Sequence, residues 1–164
     1  MMKIQYFNVK NADFILIKEI YDYYIINSTA TYYTEKISVA DLKKFIPVSQ
    51  KKYKSYLIKA DDNFCGFCYI SQYKKRQAYD RTAEVSLYLR PGFTGRGIGK
   101  NALAHLEKVA KINGICVLIG IISGDNVHSI KLFENCGYEK CGHFKQVGEK
   151  FNKILDVVSY QKII

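Results

Sequence analysis

In Thr94-Gly95-Arg96-Gly97-Ile98-Gly99-Lys100, three glycines alternate with two cations where a strand-like run gives way to a helical one. Upstream, Thr82-Ala83-Glu84-Val85-Ser86-Leu87-Tyr88-Leu89 reads as a strand ended by Pro91-Gly92. Downstream, Ile98, Leu103, Leu106, Val109 and Ala110 fall on one helical face, and Asn113-Gly114 supplies a left-handed stop. A strand, a glycine loop and a helix in that order suit a polyanion. Glycines remove Cβ atoms so the backbone can approach closely, and the helix start offers unpaired N–H groups and the positive end of the helix dipole. Arg96 and Lys100 add charge. A Walker loop would need glycine at Thr94 and serine or threonine at Asn101, and a dinucleotide-binding loop would need glycine at Lys100, so neither fits. Taken alone, the glycines would also serve close helix packing.

Outward from this unit, Ile4–Val9 has strand character, and Phe14, Ile17, Ile20, Tyr21 and Tyr24 recur at helical spacing. Asn27 to Thr34 reads as a loop, and Ser38-Val39-Ala40-Asp41 as a capping box for a short helix carrying Leu42, Phe45 and Ile46. Ser55–Ala60 and Phe64–Tyr73 form an antiparallel pair around Asp61-Asp62-Asn63. After the central helix come an apolar strand at 115–122, a helix from about Asn126 to Asn135 stopped by Gly137, and strands near 138–147 and 155–160. The expected class is α+β, a three-layer α/β arrangement of sheet and helices.

A length of 164 residues with 48% hydrophobic content suits one domain over 1–164, with no linker or repeat to divide it. The apolar run at 115–122 is far shorter than the roughly 20 residues of a membrane span, and the N-terminus lacks a secretory pattern, so a cytoplasmic protein without a membrane partner is expected. The net charge of +10 favours an anionic partner without choosing one. Five cysteines suit a reducing compartment. Cys65 and Cys68 match C-x-x-C, but their odd separation along a strand points them to opposite faces, so they read as buried small hydrophobes and no metal site is expected. His105, His128 and His143 share no ligand spacing and read as structural.

The pattern Gly95-x-Gly97-x-Gly99 at a helix head, followed by Asn126-Val127-His128-Ser129-Ile130 and Gly137-Tyr138, resembles the acetyl-CoA core of the GNAT acetyltransferases. Thr29-Ala30-Thr31-Tyr32, Tyr73 to Tyr79, Thr82 to Tyr88, and Val147-Gly148-x-Lys150 with Asp156 are similar to one branch, the phosphinothricin and methionine sulfoximine acetyltransferases. The resemblance implies a central mixed, mostly antiparallel sheet flanked by helices, with middle strands that splay to admit the thioester arm. It implies acetyl-CoA as co-substrate, held by the backbone of Leu87, Tyr88 and Leu89, by Gly95, Arg96, Gly97, Ile98, Gly99 and Lys100, and by Asn126. It places the acceptor near Lys74, Lys75, Arg76, Glu84, Val85 and Ser86, the basic group holding an acidic acceptor's anion. Tyr79 is a further candidate. A homodimer is implied as well.

The expected activity is direct transfer of the acetyl group to the primary amine of a small amino-acid-like acceptor, with no covalent enzyme intermediate and no nucleic-acid partner. An α-amine, with a reference pKa of about 8, is roughly one-tenth neutral at pH 7, so a modest base suffices. Glu84 is the catalytic candidate, on one strand face with Ser86 and Tyr88 while Val85, Leu87 and Leu89 face the core; on spacing alone it also reads as an exposed residue or an ion pair with Arg81. Two positions depart from the branch: Thr94 stands where arginine or glutamine heads the loop, and Phe133, where tyrosine or histidine is usual, cannot protonate a departing thiolate. The alternatives are a GNAT enzyme acting on a peptide or protein N-terminus, an inactive CoA binder, and a basic nucleic-acid-binding module.

Overall fold

The computed structural model describes residues 2–164. Its elements are β1 (Ile4–Asn8), α1 (Phe14–Asn27), α2 (Val39–Phe45), β2 (Lys54–Ala60), β3 (Asn63–Gln72), β4 (Thr82–Leu89), α3 (Ile98–Ile112), β5 (Val117–Ser123), α4 (Val127–Asn135), β6 (Glu139–Lys150) and β7 (Lys153–Ile163). The strands form one seven-stranded sheet in the order β1-β2-β3-β4-β5-β7-β6, antiparallel throughout except where β4 meets β5. Each face carries its own core. Phe14, Ile17 and Ile25 of α1 and Leu42 of α2 pack on Leu57 and Phe67, while Leu103 and Leu106 of α3 and Phe133 of α4 pack on Ile70, Val85 and Leu118. The expected three-layer arrangement with a mixed, mostly antiparallel sheet is what the chain adopts.

Local chemistry accounts for the boundaries. Ser38 Oγ accepts from Asp41 N–H at 3.1 Å and the Asp41 carboxylate accepts from Ser38 N–H at 3.2 Å, the expected capping box. Gly114 and Gly137, at φ of +74° and +79°, end α3 and α4 in the left-handed conformation that glycine adopts without a Cβ clash. β5 begins at Val117 rather than Ile115, because the N–H groups of Cys116 and Val117 both turn to the Arg81 carbonyl. The last two strands are longer than the sequence suggests. Gly148 does not break β6; the reversal occurs at Phe151-Asn152, both with positive φ, in a two-residue turn.

One sequence expectation is overturned in β3. Pairing with β2 shifts from Ile58–Gly66 to Lys59–Phe64, leaving Cys65 as the extra residue of a bulge. The period-2 alternation is therefore interrupted, and Cys65 and Cys68 both enter the core beneath α3 instead of pointing apart. Burial raises both thiol pKa values, and no cluster of three or more histidine, cysteine, aspartate or glutamate side chains placed to hold a metal occurs among the described residues. Nor is any helix there long and apolar enough to cross a membrane.

Candidate functional site

The parallel pairing of β4 with β5 covers only Thr82–Val117, Ala83–Leu118 and Glu84–Ile119. Beyond Glu84 the strands part, while β4 stays paired with β3 to Leu89 and β5 with β7 to Ser123. This is the splay expected from the resemblance. Arg90 N–H bonds the Cys65 carbonyl, so in this antiparallel register residues 88, 86 and 84 direct their main-chain groups to β3. Val85, Leu87 and Leu89 direct theirs the other way. The Leu89 carbonyl accepts from Tyr24 Oη at 2.7 Å, which leaves the main chain of Leu87 facing the seam. Side chains of Val85, Leu87, Ile122, Leu132 and Phe133 line the seam, a space of about 70 Å³.

On the α3 side the seam opens into a cleft of about 350 Å³ bordered by Leu87, Thr94, Gly95, Gly97, Gly99 and Lys100. Gly95 and Gly97 have φ of +74° and +78°, and no side chain caps α3. The amide groups of such a loop curve around an anion, and the dipole of the 15-residue helix reinforces them. Gly99 is needed for another reason: a Cβ there would lie 2.9 Å from Leu132 Cδ2. Leu132 and Leu87 therefore pack directly under the loop. The residues fit a pyrophosphate with an extended arm running into the seam. Asn126 caps α4, its Oδ1 accepting from Ser129 N–H at 3.1 Å, and it borders not the glycine-loop cleft itself but an adjoining space of about 840 Å³ that shares Leu87, Thr94 and Gly95 with it. His128, read from sequence as structural, is exposed and borders the glycine-loop cleft with Ser129 and Lys131. His105 does pack, its ring stacked on Tyr6 at 3.9 Å.

At the other end of the seam lies a cavity of about 530 Å³. Glu84, Ser86 and Tyr88 reach it from β4, as alternation requires, while Val85 is buried on the opposite face, in the core beneath α3. Burial raises the Glu84 carboxyl pKa above its ordinary 4.5, and no ion pair with Arg81 or any other cation forms among the described residues. Lys74, Lys75 and Arg76 are exposed in the loop after β3 and do not border the cavity. Lys74 Nζ sits over the rings of Tyr73 and Tyr79, 5.3 and 5.6 Å from their centroids, so Tyr79 packs within that loop rather than at the cavity. Sequence reasoning missed the aromatic walls, Tyr21, Tyr32, Tyr33, Phe45 and Tyr69, which come from α1, α2, the loop between them and β3. The Tyr32-Tyr33 pair in a polar loop is the signal that could have found them.

The loop after α1 is pinned from two sides. Lys150 is 2% exposed, and its Nζ donates to the carbonyls of Ser28 and Thr31 at 2.7 and 2.8 Å. Burial lowers its pKa. Asp125 accepts from Thr29 Oγ1, Ser123 Oγ and Lys153 Nζ at 2.7 to 2.8 Å. Partial burial opposes its ionisation, but these three donors prevail and hold the carboxyl at about 2. Lys150→Met keeps the packed stem and removes both bonds. It is expected to lower unfolding free energy by about 1–3 kcal/mol and to raise the acceptor KM, since Ala30 and Thr31 border the cavity. Urea midpoints and steady-state kinetics check this; an unchanged midpoint would mean that water replaces the ammonium.

Phe133 sits at the back of the seam, 6% exposed, edge-on to Tyr138 with centroids 4.9 Å apart. Its ring lies where a side chain on Gly120 would be: a Cβ there would be 2.2 Å from Phe133 Cε1. It offers no proton to the site.

Residues 8–158 match the family model described as "Acetyltransferase (GNAT) domain". The L-methionine sulfoximine/L-methionine sulfone acetyltransferase of Pseudomonas aeruginosa is 27% identical over 152 residues, 92% of this chain and 88% of that protein. Among solved structures, a GNAT phosphinothricin acetyltransferase from Sinorhizobium meliloti in complex with AcCoA superposes with a TM-score of 0.89 at 28% identity, over 99% of this chain and 88% of that one. A ribosomal-protein-alanine N-acetyltransferase from Brucella melitensis gives 0.87 at 26% identity, over 99% of both chains. With a family match that spans nearly the whole chain and a sheet that splays at the expected strands, the chain belongs to the GNAT acetyltransferase family.

Proposed function

We propose that this enzyme transfers the acetyl group of acetyl-CoA directly to the primary amine of an amino-acid-like acceptor. The observation that carries the reading is the seam itself: the unpaired main chain of Leu87 lies between an anion-binding glycine loop on one side and a half-buried carboxylate without an ion-pair partner on the other. Gly95 to Lys100 hold the pyrophosphate, the main chain of Leu87 to Leu89 orients the pantetheine arm, and the Asn126 side chain donates to it. The incoming ammonium docks at Glu84, whose carboxylate takes the proton. The free amine then forms its bond to the acyl carbon as the carbon–sulfur bond breaks, and the Leu87 N–H stabilises the developing oxyanion. Phe133 has no proton to give, so the departing thiolate is protonated by solvent or by the proton the amine released.

The acceptor enters over Ser86 and the main chain of Val85. Lys74, Lys75 and Arg76, outside the cavity, act by drawing anionic groups toward it at long range. The reading takes residues 1–164 as one catalytic domain that needs no metal and acts in the cytoplasm. Exposed Phe144, Val147, Phe151 and Ile154 on the β6–β7 hairpin give a second copy of the chain an apolar surface to cover. Likeness to the ribosomal-protein-alanine enzyme favours a second reading, acetylation of a peptide N-terminus.

The test is mass-spectrometric detection of N-acetylated product after incubation with acetyl-CoA and a panel of phosphinothricin, methionine sulfoximine, other amino acids and short peptides. Acetylated amino acids are expected. Acetylation of peptides alone would move the assignment to the second reading, and acetyl-CoA binding without any product would refute the proposed transfer.

A further inference from the structure

Six of the 13 residues that line the acceptor cavity are aromatic, and one carries a formal charge. Tyr21 meets Tyr88 edge-on at 5.2 Å and Tyr33 at 6.2 Å, and Tyr33 stacks on Phe45 at 6.3 Å. Tyr32 and Tyr69 complete the ring of aromatic groups. Burial raises the pKa values of the Tyr21, Tyr69 and Tyr88 hydroxyls, so all three stay neutral. The remaining polar lining, Thr31, Ser71, Gln72 and Ser86, is uncharged. Glu84 is the only carboxylate among the lining residues, and no lysine, arginine or histidine borders the cavity. The basic side chains expected to receive an acidic acceptor lie elsewhere, with Lys74 spread over Tyr73 and Tyr79.

Each feature disfavours an acceptor whose side chain is anionic. Such a group would leave water without finding a counter-ion and would stand in the same cavity as the Glu84 carboxylate. The ammonium of any acceptor, by contrast, meets a carboxylate and electron-rich ring faces, the combination that attracts a cation. The acceptor's body then meets rings that favour stacked or edge-on aromatic contacts, with neutral hydroxyls and an amide at intervals. A space of about 530 Å³ is ample for a side chain the size of phenylalanine or tryptophan.

We infer that the preferred acceptor is a primary amine carrying an uncharged aromatic or large apolar group, an arylalkylamine first and an aromatic amino acid next because its carboxylate also lacks a counter-ion here, and that Tyr33 and Phe45 help select it. The inference rests on the acetyl-transfer reading given above and narrows its substrate class.

The experiment compares kcat/KM for L-phenylalanine, L-tryptophan and 2-phenylethylamine with kcat/KM for L-phosphinothricin and L-methionine sulfoximine, at saturating acetyl-CoA, by CoA release with product mass confirmed. The aromatic amines are expected to exceed both aliphatic acceptors by at least about tenfold. Tyr33 is exposed, so Tyr33→Ala should fold normally by circular dichroism. It is expected to shrink that ratio by about tenfold, chiefly through KM of the aromatic acceptor. Equal or better use of phosphinothricin, or a ratio unmoved in Tyr33→Ala, overturns the aromatic preference while acetyl transfer stands. Failure to acetylate any amine overturns both.

Discussion

Glu84→Gln is expected to lower kcat for amine acetylation by about 10²–10⁴-fold and to leave acetyl-CoA affinity close to wild type. The side chain faces the cavity from the last rung that pairs β4 with β5, whereas the glycine loop lies at the far end of the seam, so the proposed base and the proposed cofactor loop separate spatially. Glutamine keeps the shape and loses the base. The pH dependence has a definite sign. Burial raises the Glu84 pKa, and the active form is the carboxylate, so kcat in the wild type rises with pH through an inflection above the ordinary value of 4.5. The variant should lack that inflection. Stability moves the other way. With its folded pKa above the unfolded one, Glu84 favours the fold at low pH, and that contribution disappears as pH rises through the unfolded and then the folded value. At neutral pH the glutamine variant should therefore unfold no more easily than the wild type. Paired pH–rate profiles and urea midpoints measure both effects; a variant that is slow because it is unstable would contradict the assignment.

The second large effect concerns the back wall of the seam. Gly120→Ala places a methyl group inside the Phe133 ring, and the overlap is expected to cost about 1–3 kcal/mol, outweighing the gain of up to about 1 kcal/mol that alanine normally brings to a strand. Phe133→Ala alone is expected to cost about 3–5 kcal/mol through the lost burial and the cavity left against Tyr138. The two changes should not add. With the ring gone, the methyl has room and fills part of the void, so the double variant should be more stable than the sum predicts by at least about 1 kcal/mol. Guanidinium midpoints for the four proteins settle the cycle, and strict additivity would mean that α4 moves aside to accept the methyl. The same cycle bears on activity. Phe133 also borders the space between β4 and β5, so Gly120→Ala should weaken acetyl-CoA binding as well as the fold.

The central unit was legible because independent local signals agree there. Strand alternation over Thr82–Leu89, the glycine loop and the apolar face of α3 each predict the same order of elements, and the structure follows them within a residue or two. Glu84, Ser86 and Tyr88 share a face because no bulge interrupts β4. That Cys65 and Cys68 share one side of β3 is hidden from the sequence because a bulge is set by the partner strand, which alternation within one strand does not reveal. The aromatic cavity was not legible for a related reason. Its rings come from five segments between Tyr21 and Tyr88, and each reads on its own as an ordinary core or loop aromatic. Lys150 was invisible as a buried group, since its partners are main-chain carbonyls 122 and 119 residues away that no side-chain pattern encodes. His128 has no partner histidine at ligand spacing, yet a position on the first turn of α4 needs none to meet a cleft.

The open seam also bears on how the molecule guards itself against other chains. Past Glu84, β4 and β5 each expose a stretch of unpaired edge, ordinarily an invitation to association. Here those edges face each other inside the fold, roofed by α4 on one side and by the pinned loop on the other. An intruding strand from a neighbouring molecule would have to thread between them, whereas a slender single-chain arm enters end-on. Of the two outer edges, β1 is only five residues long and β6 is bulged at Lys140–Gly142 and again at Phe144–Gly148, so neither offers a long flat register to copy. The fold thus keeps hydrogen-bonding capacity available for a small guest while giving a second polypeptide little to zip onto.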